Sequence, residues 1–115
     1  MSNEQTTISF DDFMKVEIHT GTIISAVINE KARNPAYIME IDFGEMGIKT
    51  SSAQLTVNYQ PEDLIGKQIV AVTNFPVKRI AGVKSEVLVL GAVSDDDSVV
   101  LLEPSFKTGN GVRIS

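Results

Sequence analysis

The chain has 115 residues, 43% of them hydrophobic, with no cysteine and a formal net charge of −5. That length suits one domain burying roughly 65% of the surface its unfolded chain exposes. The missing cysteines exclude disulfides, thiolate metal sites and cysteine nucleophiles. Fifteen acids against ten lysines and arginines argue against a generic nucleic-acid coat, which needs many cations on one face.

The first seven residues, Met1 to Thr7, are polar, with neither a basic region nor an apolar run. A disordered or extended tail over 1–7 is expected, without a signal peptide, and a single domain over 8–115. No stretch approaches the roughly eighteen apolar residues of a membrane span, so a cytoplasmic protein without membrane insertion is expected.

Ser9 opens a short helix as N-cap, with Asp12 three residues on as an approximate capping box, and Ile8 and Phe13 at the staple positions. A strand from Val16 to about Asn29 follows, with Gly21 as its predicted bulge or bend. Lys31 to Pro35 reads as a polar loop. The strand Tyr37 to Phe43 alternates, placing Tyr37, Met39, Ile41 and Phe43 on one face. Gly44 to Gly47 turns into a third strand, Ile48 to about Ala53. Gln60-Pro61-Glu62-Asp63-Leu64-Ile65-Gly66 predicts a one-turn helix with proline at its first position and acids in its first turn.

Lys67 to Asn74 is a fourth strand and Glu86 to Val93 a fifth, with Ser98 to Leu102 as hairpin partner and a last short strand at Val112 to Ile114. Three strands, a short helix and two strands predict an all-β, five-stranded Greek-key barrel of OB-fold type. Short helices lie near its N-terminus and between strands three and four, and a C-terminal extension follows. Bends at Gly21 and Gly91 suit closure.

Catalytic patterns are missing. The one histidine, His19, reads as a solvated or hydrogen-bonded surface residue, and zinc lacks its usual ligands. Asp95-Asp96-Asp97 is a turn without the spaced ligands of a calcium loop. Glu40 and Asp42 lie about 7 Å apart on one strand face, with nothing nearby to separate their acidities. No nucleophile elbow or phosphate-cradling glycine run occurs. The expectation is a binding protein, not an enzyme, without metal or cofactor.

The segment Asn74 to Leu90 carries the binding signal. Between two apolar runs it holds three of the ten cations, Lys78, Arg79 and Lys84, braced by Pro76 and Gly82. The polar end of the third strand would lie beside it. The candidate site comprises Arg33, Asn34, Lys49, Ser51, Ser52, Gln54, Asn74, Phe75, Lys78, Arg79, Lys84 and Ser85. The cations would neutralise phosphates while the hydroxyls and amides fix register. Phe75, Val77, Ile80 and Val83 interleave with those cations and could instead offer apolar surface to a polypeptide. With 6% aromatics and no tryptophan, sequence-specific capture of single strands by base stacking is disfavoured.

Val16-x-Ile18-x-x-Gly21-x-Ile23, Asn34-Pro35-Ala36-Tyr37, Asp42-Phe43-Gly44 and Asn74-Phe75-Pro76 with Lys78-Arg79-x-x-Gly82 and Ser85 together resemble the tRNA-binding domain. That domain is appended to some methionyl- and phenylalanyl-tRNA synthetases and also occurs free-standing. Ser51-Ser52-Ala53-Gln54 and Arg79 to Gly91 are similar to its CsaA branch of export-related chaperones. The resemblance runs from Ile8 to about Ile114. It implies a stand-alone OB-fold homodimer that binds tRNA or other structured RNA. In that branch it also implies unfolded or precursor polypeptides, and the protein-export motor, as partners. Glu86-Val87 and the negative charge depart from the wider family, where Gly-Met often follows the serine.

Overall fold

The computed structural model describes residues 6–115, so most of the expected tail, residues 1–5, lies outside the described residues. The elements run α1 (Phe10–Met14), β1 (Ile18–Ile28), β2 (Tyr37–Asp42), a 3-10 turn (Gly44–Met46), β3 (Ile48–Ala53), α2 (Pro61–Leu64), β4 (Gln68–Val72), β5 (Lys78–Ile80), β6 (Val83–Ser85), β7 (Leu88–Val89), β8 (Gly91–Val93) and β9 (Val99–Leu101). Among the described residues, no helix is long and apolar enough to cross a membrane.

Strand order β3-β2-β1-β4-β7, antiparallel throughout, makes a nearly closed OB-fold-like barrel. β1 serves two neighbours: Ile18 to Thr22 pair with β4, and Thr22 to Ile28 with β2. The seam between β3 and the chain entering β7 closes differently. Glu86 N–H donates to the Thr50 carbonyl at 2.8 Å, the one main-chain bond there among the described residues. Side chains supply the rest. Ser51 Oγ donates to the Val87 carbonyl (3.0 Å), Ser85 Oγ accepts from Ser52 N–H (3.2 Å) and Glu86 Oε1 accepts from Thr50 N–H (3.1 Å).

Inside, Ile23, Met39, Ile41, Phe43, Leu64 and Ile69 are fully buried. The alternation of β2 produces this, putting Tyr37, Met39 and Ile41 inward and Glu40 outward. α2 plugs one end with Leu64, and its Gln60–Asp63 capping box and first-position proline set its start. Ser9 caps α1 by accepting from Asp12 N–H at 3.0 Å.

Gly21 is not the bulge. The register of β1 slips between Ile23 and Ser25, leaving Ile24 as the extra residue. Gly21 pairs regularly with Ile69 because its bare Cα admits the core: a Cβ there would meet Ile41 Cγ2 at 2.7 Å and Phe43 Cδ1 at 2.8 Å. The fifth strand also differs from the single run expected. It breaks at Leu90, whose N–H donates to Val70 and whose carbonyl accepts from Leu102, and Gly91 starts a separate hairpin.

His19 is buried, not solvated, with Nδ1 2.9 Å from Thr73 Oγ1. That hydroxyl also lies 3.2 Å from the Glu17 carbonyl. The last strand reduces to one bridge, His19 to Arg113, within a C-terminal strap along the free edge of β1. Thr20 is the strap's anchor, with its N–H, carbonyl and hydroxyl all bonded to residues 109–112. Asp96 caps the acidic turn, and hydrogen bonds from Ser98 hold its carboxyl below the usual aspartate range.

Because Ile41 and Phe43 have no space to retreat, Gly21→Ala should destabilise the barrel by about 1–3 kcal/mol in urea unfolding. An unchanged midpoint would show that the core gives way there.

Candidate ligand-binding groove

After β4 the chain leaves the barrel at Asn74 and returns at Ser85, and the excursion is the β5–β6 hairpin. Ile80 and Val83 flank a two-residue turn, with φ of +48° at Ala81 and +81° at Gly82. Two positive φ values define a type I′ turn, whose twist matches the strands it joins. Gly82 adopts this freely, whereas Ala81 does so at a steric cost. Buried Asn29 ties the tip to the β1–β2 loop: its Nδ2 donates to the Ala81 carbonyl (3.5 Å) and its Oδ1 accepts from Lys31 N–H (3.0 Å).

Alternation splits the cationic cluster. Lys78 and Ile80 share one face with Val83 and Ser85, while Arg79 and Lys84, directly opposite each other, project from the other. Among the described residues the ion pairs are Lys15–Asp12 and Lys67–Glu103, so none of the three hairpin cations is paired with an acid.

The Lys78 face borders a groove of about 460 Å³ lined by Ser52, Phe75 to Lys78, Ile80 and Ser85 to Leu88. A second hollow of about 310 Å³ adjoins it, sharing Ser52 and Ile80 and adding Arg33, Asn34 and Gln54. Together they form a trough from Phe75 to Arg33. Its wall is apolar and open to solvent: Phe75, Val77 and Leu88 are about half exposed (53%, 51% and 50%).

The trough therefore gathers Arg33, Asn34, Ser52, Gln54, Phe75, Lys78 and Ser85. Arg79 and Lys84 flank it on the hairpin's far face. Ser51 points into the barrel, its hydroxyl committed to Val87, and Lys49 shares that inward parity at the end of β3. Asn74 has both ends of its amide engaged: Oδ1 accepts from Glu17 N–H (3.0 Å) and Nδ2 donates to the Lys15 carbonyl (2.8 Å). It clamps the segment entering β1.

Leu88 and Glu86 lie outside the set expected from sequence. Period-two alternation about buried Val87 turns both outward, Leu88 exposed and Glu86 half-buried, and that alternation is legible in the sequence. The buried anchor Asn29 had no such signal, since its role depends on a contact 52 residues away.

A small OB-fold-like barrel displaying a hairpin over an uncovered groove is a binding module by architecture. The model of the family described as a putative tRNA binding domain matches residues 18–113, and the chain belongs to that family. It is 37% identical over 107 residues to a methionine–tRNA ligase of Methanococcoides burtonii, covering 93% of this chain and 16% of the ligase. The chain thus spans about a sixth of such relatives' length.

Two solved structures align along their whole length. The chaperone CsaA of Bacillus anthracis is 55% identical with a TM-score of 0.91, covering 96% of this chain and all of that one. CsaA of Picrophilus torridus is 44% identical with a TM-score of 0.87, covering 95% and 100%. The likeness is thus to CsaA-type members of the family.

Ala81→Asn creates the Asn-Gly pair favoured in such turns and should raise stability by about 0.5–1 kcal/mol. Thermal unfolding checks this, and a lowered midpoint would mean that the Asn29 contact, not the turn, dominates the tip.

Proposed function

We propose that this chain is a non-enzymatic, cytoplasmic homodimer that acts as a chaperone, holding unfolded or precursor polypeptides for export. The observation that carries this reading is the groove wall of Phe75, Val77, Ile80 and Leu88, apolar and uncovered beside unpaired Lys78. An exposed apolar trough next to a charge suits a chain with unburied hydrophobic side chains. The 55% identity to a chaperone supports it. The export motor is the natural recipient of such a cargo.

A second reading is favoured by a separate observation. Arg79 and Lys84 stand exposed on the hairpin's far face, and the family's description is of tRNA binding. There the protein binds structured RNA through phosphates, with Lys78, Arg79, Lys84 and Arg33 as the available cations. Some 3–5 phosphate contacts give a salt slope of about −3 to −5 in log–log form.

The two readings separate by salt. Bulk tRNA binding should collapse as salt rises, whereas capture of a denatured model protein through the groove should persist or strengthen. Lys78→Ala combined with Arg79→Ala should weaken tRNA binding by about tenfold or more at low salt. Retention of both activities in that double variant would remove the hairpin from the site.

Dimerisation rests on the termini. Arg113 Nη2 donates to the Met14 carbonyl at 2.6 Å, holding α1 against the strap, with Ile8 (68%), Phe10 (69%) and Val112 (43%) left exposed on these neighbouring segments. Such side chains suit burial against a second copy. Sedimentation at micromolar concentration should give a dimer, and Phe10→Asp a folded monomer. A wild-type monomer refutes the interface.

A further inference from the structure

Among the described residues, the outer edge of β5 has no partner. In a two-residue hairpin Ile80 and Val83 form the hydrogen-bonded pair, so Arg79 and Lys84 form the next, non-bonded one. The N–H and carbonyl of Arg79 therefore point away from β6. Among the described residues, no main-chain bond from 74–79 exists outside the hairpin, and Phe75 to Ile80 are all exposed. Pro76 has the opposite parity from Arg79 along an extended chain, so its missing donor is not lost from the open edge. An unpaired edge beside an uncovered apolar groove is a template for another strand.

Resting on the chaperone reading, we infer that the groove takes polypeptide by strand addition: an extended segment pairs antiparallel with the β5 edge at Arg79. RNA cannot satisfy this edge, because it offers no alternating amide donors and acceptors. Every second side chain of the added strand falls on the Lys78–Ile80 face, over the groove wall, and would be apolar. The others fall on the Arg79–Lys84 face, where two unpaired cations favour acidic residues. The ligand class is thus an extended segment alternating apolar with acidic residues. Main-chain bonds would make capture tolerant of sequence, while the two faces set the preference.

The test uses the full chain and an end-capped, fluorescein-labelled peptide alternating leucine and glutamate, read by anisotropy. In antiparallel addition the residue opposite Arg79 exchanges both main-chain bonds with it and shares its face. N-methylation of the glutamate nitrogens should therefore weaken binding by about tenfold, and methylation of the leucine nitrogens should not. Equal effects at the two parities overturn strand addition. Binding of a denatured protein but not of this peptide also overturns it while leaving the chaperone reading intact. If neither binds, the chaperone reading itself falls.

Arg79→Pro removes the outward donor, and Arg79→Ala controls for the charge. With both variants folded by circular dichroism, the proline should bind the peptide about tenfold more weakly than the alanine. Matched affinities, or a loss of dimer specific to the proline, would count against the inference, the latter by giving this edge to a second copy.

Discussion

The seam between β3 and the chain entering β7 is the constraint on which this structure rests. Among the described residues one main-chain bond, Glu86 to Thr50, joins the chain entering β7 to β3, and three side chains complete the closure. A full ladder there would have drawn the polypeptide flat against β3. Because the seam is made mainly with side chains, β6 stands beside β3 instead of merging with it, and the β5–β6 hairpin arches over Ser52. The groove occupies the space so created. Closing the barrel and opening the trough are one event in the chain.

This accounts for the residues at the seam. Ser51 and Ser85 are small hydroxyls because each must reach a main-chain group across a narrow gap, Val87 in one case and Ser52 in the other. Glu86 does more: its N–H and its carboxylate both bind Thr50, so it works as a two-point clasp. The same residue lines the groove alongside Lys78, placing an acid and a cation in one trough. Glycine at this position could not provide the second bond.

Much of the barrel was legible because its signals are local. The β2 alternation, the cap at Ser9 and the proline-led helix at Gln60 each follow from a few neighbouring residues, and the structure reproduces them. The bulge expected at Gly21 falls instead at Ile24, because a strand glycine suits either a bulge or a close approach, and only the positions of Ile41 and Phe43 decide between them. His19 reads as a surface residue from its polar position in the strand alternation, yet the distant strap and Thr73 enclose it. The candidate site divides along the same line. The hairpin cations and Phe75 were visible as a cluster, whereas the inward turn of Ser51 and the clamp at Asn74 depend on partners far along the chain.

Asn74 links two regions that the chain order keeps apart. Its amide grips Lys15 and Glu17, and the very next residue, Phe75, forms the lip of the trough. Anything that steadies the helix at the start of the chain consequently steadies the mouth of the cleft. Fraying of that helix would instead loosen the lip, with the barrel itself undisturbed.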